Sequence, residues 1–279
     1  MSTNLYVKNN LQISKLTTNN YSTSFSLGVK MLNRKIHDPI YAIYGFVRYA
    51  DEIVDTLFDY PQQELLQEFI QDTYKAIDRG ISTNPILDSF QRVVNEYGIE
   101  KEHIDAFLKS MEMDLYHKEY DPQMVKDYIY GSAEVVGLMC LRIFYHDDDM
   151  AYESQKHAAR KLGEAFQKVN FLRDIRSDLN ERGRIYFSSM SDDGFTEDVK
   201  FQIEEEIEQD FREAFLGIKK LNKHARFGVY LAYIYYKRLF KKIKKSEPSS
   251  VMNGRLRVPN RHKIYLLFKA YVKNSMNLI

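Results

Sequence analysis

The chain has 279 residues, 44% hydrophobic and 28% charged, which is the composition of a globular protein long enough to bury a substantial core. A single cysteine, Cys140, excludes a disulfide framework and a thiolate metal cluster, and at a net charge of +1 no recognised nucleic-acid module accompanies the basic residues. Twenty-one Tyr and 17 Phe with no Trp point to an aromatic-lined interior, while only six Pro and 12 Gly favour long helices over a turn-rich sheet.

Met1 to Lys15 mixes polar residues with scattered Leu and Val and lacks the basic region and apolar run of a signal peptide. Nor does any uncharged apolar run approach the roughly 18 residues of a membrane span; the longest is Gly228 to Tyr236. A cytoplasmic setting is expected. Tyr21-Ser22-Thr23-Ser24-Phe25-Ser26 is hydroxyl-rich and reads as a loop or helix start, its hydroxyls serving either as a cap or as donors to phosphate. Asp38-Pro39 predicts a helix start with Asp38 as N-cap, ending before Pro61. On that helix Tyr44, Arg48, Asp51 and Asp55, spaced by four, three and four, form one stripe among Tyr41, Ile43, Phe46, Val47, Ile53, Val54 and Leu57.

Helical periodicity then predicts segments from Glu64 to Arg79, Asn84 to about Gly98, Glu102 to Tyr120 and Pro122 to Tyr145. Tyr130, Gly131 and Gly137 lie inside the last of these, where the glycines predict a kink or a close approach. A long helix from Ala151 to Asn180 carries a second stripe, Gln167, Asn170, Asp174 and Asp178, on an otherwise apolar surface of Val169, Phe171, Leu172 and Ile175. A loop from Glu181 to Gly194 contains Arg184-Ile185-Tyr186-Phe187; helices from Glu204 to Asn222, Ala225 to Lys245 and His262 to Lys273 follow, with Glu247 to Pro259 as a loose segment. No period-2 runs stand out, so the expectation is a single all-α domain, residues 1–279, of roughly ten helices.

An apolar helix belongs in a core, where an unpaired carboxylate costs several kcal/mol or neutralises. Arg48 and Arg173 compensate two acidic stripes only in part. The excess of carboxylates suits a hard divalent ion such as Mg²⁺, which takes one or two carboxylates, keeps waters and completes its shell with substrate phosphates. Either stripe alone is compatible with a solvated face; the pair points to a diphosphate site. Net charge is also unevenly spread, at +15 from Lys219 to Ile279 against −14 before it. The cluster Lys237, Arg238, Lys241, Lys242, Lys244 and Lys245 follows Tyr230, Tyr233, Tyr235 and Tyr236, a pattern suited to an anionic membrane surface or to docking on the acidic body.

Tyr44 to Asp55 and Gln167 to Phe187, about 120 residues apart, closely resemble the two long motifs of the squalene and phytoene synthases. The resemblance covers nearly the whole chain and implies an all-α isoprenoid synthase fold around a central cavity, and head-to-head condensation of two prenyl diphosphates through a cyclopropyl intermediate. It implies metal ligation by Asp51, Asp55, Asn170 and Asp174, with Asp178 an outer member. It further implies catalytic roles for Tyr44, Arg48, Tyr130, Gln167, Arg173 and Tyr235, and substrate binding by Ser22, Ser24, Phe25, Tyr186 and Arg261. The implied cofactor is Mg²⁺, with Mn²⁺ as a substitute and no NADPH. Glu134 stands where many relatives carry a small residue, and Lys168 sits inside the second motif, off the Asp stripe and facing away from it.

The segment Val135-Val-Gly-Leu-Met139 looks most like bacterial phytoene synthases, so the leading expectation is 15-cis-phytoene from two geranylgeranyl diphosphates. The alternative is dehydrosqualene or squalene from farnesyl diphosphate. A non-catalytic helical assembly factor of the same fold is the alternative of another class, and intact acidic motifs speak against it. A cyclase or chain-elongating enzyme calls for a compact Asp-Asp-x-x-Asp that is missing. Expected partners are prenyl diphosphates and a downstream desaturase, with peripheral contact at the inner membrane face and no nucleic acid.

Overall fold

The computed structural model describes residues 2–117, 119–186, 195–253 and 256–276. Its helices in chain order are α1 Ser2–Tyr21, α2 Thr23–Lys30, α3 His37–Asp55, α4 Gln62–Arg79, α5 Pro85–Tyr97, α6 Lys101–Tyr116, α7 Pro122–Ile129, α8 Val135–Phe144, α9 Asp149–Ser177, α10 Glu197–Lys220, α11 Arg226–Lys244, α12 Pro248–Asn253 and α13 Asn260–Ser275. Among the described residues there is no strand, only an isolated parallel bridge between Glu119 and Ile185.

Local chemistry accounts for most boundaries. Asn84 accepts from the Ile86 and Leu87 N–H groups to open α5, and Asp121 accepts from Gln123 and Met124 to open α7, each followed by a proline in the first turn. Gly80 and Gly98, at φ 69° and 63°, close α4 and α5 in the left-handed conformation. Asp38, however, is not the cap expected of it. A 3₁₀ turn, Arg34–Ile36, capped by Asn33, leads directly into α3, so Asp38 and Pro39 lie inside the first turn.

The sequence conceals α1 because its buried face is polar. Ser14 and Thr18 are fully buried and Asn10 nearly so; the Asn10 side chain donates to Asp88 at 2.9 Å and Thr18 donates to the Ser14 carbonyl at 2.9 Å. Those bonds offset the desolvation of Asn10 and Thr18, while the Ser14 hydroxyl is buried without a hydrogen-bond partner. The kink expected near Gly131 is a π turn, Tyr130–Glu134, between α7 and α8. Gly131 permits it, since a Cβ there would collide with the Ala106 carbonyl oxygen of α6. α12 lies within the segment expected to be loose and buries Val251, while Gly254 and Arg255 lie outside the described residues.

Two large hydrophobic cores form among the described residues. Helices α3, α4, α5, α6 and α8 surround Ile40, Phe46, Leu66, Phe90, Phe107 and Val135; Phe46 and Phe90 stack at 3.8 Å. Each buried Phe stabilises this core by about 1.5–3 kcal/mol. Helices α9, α10 and α11 form the second around Val169, Leu172, Phe211, Leu231 and Phe240. Phe171, Tyr120, Tyr128 and Tyr186 make a small aromatic cluster of their own. The first acidic stripe therefore rides on a helix of one core and the second on a helix of the other.

Candidate active site

The stripes meet at their C-terminal ends. After α9 the chain makes a π turn, Asp178–Arg182, and a left-handed Gly183, which bring Arg182 and Arg184 back towards α3. Arg182 lies 3.4 Å from Asp55 and donates to Asp178 at 2.9 Å, so one guanidinium bridges both stripes. Arg184 donates to Asp55 at 2.7 Å and to the Val54 carbonyl at 3.1 Å. Upstream on α3, Arg48 pairs with Asp51 and Glu52 and lies over the Tyr21 ring. On α9, Arg173 forks onto the adjacent Asp174.

These arginines do not offset the desolvation of Asp51 and Asp178. Loss of solvent is the first cause that pushes the Asp51 carboxyl up to about 7, and the Asp55 charge adds to it against Arg48. Although 31% of the Asp51 side-chain surface is accessible, it is crowded by protein rather than bulk water. Burial likewise raises Asp178 to about 7, with Arg182 opposing and Asp174 and Asp55 adding. The Tyr44 hydroxyl is pushed up to about 12 by burial, against Arg48 and a hydrogen bond with Ser22.

Most of the expected residues come together around this crevice. Ser22 caps α2 through the Phe25 N–H, and the Phe25 ring stacks on Tyr44 at 4.6 Å. Asn170 donates to Gln167 at 3.3 Å and accepts from Tyr236 at 3.3 Å. Tyr186 is buried, stacks on Phe171 at 4.2 Å and donates to Asp114 at 2.8 Å. Phe187 and the rest of the expected loop to Gly194 lie outside the described residues. Ser24 is half-buried in the first turn of α2.

Three expected residues stand elsewhere. Tyr235 is buried with its hydroxyl donating to the Lys263 carbonyl at 2.8 Å, so it fastens α11 to α13. Its neighbour Tyr236, about 100° round the helix, is the one aimed at Asn170. Arg261 is exposed in the first turn of α13. Tyr130 sits under the Arg160 guanidinium, about two turns before Gln167 on the same face of α9. Arg160 also donates to Glu134 at 2.6 Å, so that buried carboxylate is paired. Lys168 faces α10, as its helical position predicts, and donates to Asp210 at 2.8 Å.

Sequence reasoning missed Asp114. This buried carboxylate on α6 accepts from Tyr120 at 2.9 Å, Tyr128 at 2.8 Å and Tyr186 at 2.8 Å, and lies 3.4 Å from Arg184. Burial raises its pKa, with Arg184 opposing. Asp114 thus orients Arg184 against Asp55. Its signal in the sequence is faint, a lone Asp near the end of an amphipathic helix, whereas Arg182, Arg184 and Tyr236 stand beside motif residues.

No three His, Cys, Asp or Glu side chains among the described residues close around one point. The donor chemistry still fits Mg²⁺, which needs only one or two carboxylates beside water and phosphate oxygens. The space beside the cluster is narrow, a cavity of about 10 Å³ lined by Phe171, Ile175, Asp178, Leu179, Arg184, Ile185 and Tyr186. A larger cavity of about 390 Å³, bordered by Asn33, His146 and His224, involves none of the stripe residues.

Residues 18–262 match the family model described as squalene/phytoene synthase. A 15-cis-phytoene synthase of Synechocystis sp. is 27% identical over an alignment covering 94% of this chain and 84% of the relative. A 4,4'-diapophytoene synthase of Staphylococcus haemolyticus is 25% identical, with 96% and 99% covered. The crystal structure of a dehydrosqualene synthase in complex with ligand shares the fold, with a TM-score of 0.78 at 19% identity over 96% of this chain and 98% of that one.

Proposed function

The chain belongs to the squalene/phytoene synthase family, and from that premise we propose that it joins two geranylgeranyl diphosphates head to head, through a cyclopropyl diphosphate, to give 15-cis-phytoene in carotenoid biosynthesis. The observation that carries this reading is the pair of opposed acidic stripes, bridged by Arg182, in which Asp51 and Asp178 are both raised to about 7. Carboxylates desolvated beyond what their arginines offset favour a further cationic ligand. Mg²⁺, or Mn²⁺ in its place, would be held by Asp51 and Asp55 on one side and Asn170, Asp174 and Asp178 on the other, and when bound supplies neutralisation of the leaving diphosphate.

The chain's own residues do the rest. Arg48 and Arg173 lie beside Asp51 and Asp174, where guanidiniums meet the oxygens of the departing diphosphate. Ser22 and Ser24, at the start of α2, add hydroxyl donors. Tyr44, Phe25, Phe171, Tyr186 and Tyr236 present π-faces that stabilise an allylic cation without offering water as a nucleophile. Asp114 holds Tyr186 and Arg184 in place. The reaction needs no reductant, so NADPH is not required. The hydrocarbon is too apolar to cross water and passes to a membrane-associated desaturase.

Condensation of farnesyl diphosphate to a C30 hydrocarbon is the second reading. It is favoured by the nearly complete mutual coverage with the diapophytoene synthase. Purified protein is to be incubated with Mg²⁺ and either substrate, with and without NADPH, and the hydrocarbon identified. A C40 product from the longer substrate without NADPH is the expected result. C30 product from farnesyl diphosphate with none from geranylgeranyl diphosphate transfers the assignment to the second reading, and no product from either favours a non-catalytic helical protein.

A further inference from the structure

The expected membrane-facing surface lay in the stretch from Tyr230 to Lys245, yet Tyr230, Tyr233 and Tyr235 are buried in the core between α10, α11 and α13. Helix α13 offers a different surface. Its inner side packs Leu266, Leu267 and the fully buried Ala270 on the second core. Its start is fastened twice, by the Tyr235 hydroxyl to the Lys263 carbonyl and by the Lys263 ammonium, which donates to Thr23 at 3.1 Å.

The opposite side carries Arg261, Tyr265, Phe268, Val272 and Met276, spaced by four, three, four and four, which places them on one face. Tyr265, Phe268 and Met276 are 60, 66 and 62% exposed, and Tyr271 at the edge is 60% exposed. A single exposed aromatic is ordinary, but such a stripe along one helix marks an interaction surface. Its surroundings are basic. Arg257, Arg261 and Lys269 are exposed on α13 and just before it, as are Arg238, Lys241 and Lys242 on α11. Lys242 donates to the Arg257 carbonyl at 3.0 Å, which joins the two basic groups into one rim. No acidic residue follows Glu247 in the chain.

We propose that this outer face of α13 docks on an anionic lipid bilayer, with Tyr265, Phe268 and Met276 entering the boundary between headgroups and acyl chains and the basic rim meeting lipid phosphates. Aromatic and basic residues on one helical face suit that depth, because the rings favour the interface and the ammonium and guanidinium groups the charged surface. A two-fold pairing of this face with a second copy would press two like-charged rims together. The Lys263 to Thr23 contact also places the inner side of α13 beside the helix capped by Ser22. Only the benefit to an apolar product rests on the proposed function; docking itself requires no substrate.

The test is co-sedimentation of the full chain, without substrate, on vesicles of phosphatidylcholine alone or mixed equally with phosphatidylglycerol. The expected result is binding to the anionic vesicles that weakens with salt. Tyr265→Ser with Phe268→Ser should lower the partition coefficient roughly tenfold or more, since two aromatic side chains stay in water. Arg257→Gln with Lys269→Gln should lower it several-fold and flatten the salt dependence. An unchanged melting temperature shows that the variants keep their fold. Absence of binding to anionic vesicles at low salt, or equal binding by the aromatic double variant, overturns the proposal. So does a dimer in sedimentation velocity that the same double variant dissolves, because the face then belongs to a second copy. Loss of vesicle binding leaves the product assay untouched, and failure of that assay leaves vesicle binding untouched.

Discussion

Helix α9 carries two buried polar clusters that differ in how their charges are matched. Facing α10, Lys168 lies 2.8 Å from Glu164, 2.8 Å from Asp210 and 3.2 Å from Glu206, and Lys161 lies 2.7 Å from Glu164 and 2.9 Å from Asp210. Burial acts to raise Glu164, but hydrogen bonds from Lys161 and Lys168 hold it below the usual carboxylate range. Facing α3, Asp51 and Asp178 are instead raised to about 7 despite Arg48 and Arg182. The α10-facing cluster is complete within the fold and fastens two helices. In its α3-facing counterpart the arginines do not offset the desolvation of Asp51 and Asp178, which is why we propose that this cluster holds a ligand.

The contrast is broken most forcefully by removing one carboxylate from each side. Asp51→Asn should lower Mg²⁺-dependent product formation by roughly a thousandfold, because stabilisation of the leaving diphosphate is lost. In the metal-free protein the same change should leave the melting temperature unaltered or raise it, since an uncompensated charge is gone. Asp210→Asn should do the reverse. It strips a buried partner from Lys168 and Lys161 and should cost about 3 kcal/mol in urea unfolding, while product formation per folded molecule at low temperature is kept. Asp114→Asn keeps the shape and removes the charge facing Arg184, so kcat should fall about tenfold to a hundredfold with little change in fold; steady-state kinetics and circular dichroism check the two halves.

The smallest effect is in pH. Raised carboxyl groups at Asp51 and Asp178 favour the metal-free fold fully while both are protonated, below the ordinary carboxylate value, and this advantage is lost as pH rises to about 7. Mg²⁺ has to compete with those protons. Its stabilising shift in melting temperature should therefore grow between pH 6 and 8, and a shift independent of pH would remove these two residues from the metal's environment.

Much of this was legible in the sequence because helices write their buried faces at a fixed period. The spacing alone puts Asp51 with Asp55 and Asn170 with Asp174 on shared faces, and the angle of Lys168 on its helix turns it away from them. What stayed hidden is long-range or polar. α1 buries Asn10, Ser14 and Thr18, so no apolar stripe announced it. Asp114 gathers Tyr120, Tyr128 and Tyr186 from three further segments, a convergence that no local pattern encodes. Tyr235 and Tyr236 are adjacent in an aromatic run, and only the packing of α11 decides which of them is turned towards Asn170.

The most direct measurement is calorimetric titration of the purified protein and its variants with inorganic diphosphate in the presence and absence of Mg²⁺. Binding that needs both the ion and the anion, that disappears in Asp51→Asn and in Asp174→Asn and that survives in Asp210→Asn, is the predicted result. Equal binding by the wild type and Asp51→Asn, or binding lost only in Asp210→Asn, would contradict the assignment of the α3-facing cluster as the diphosphate site.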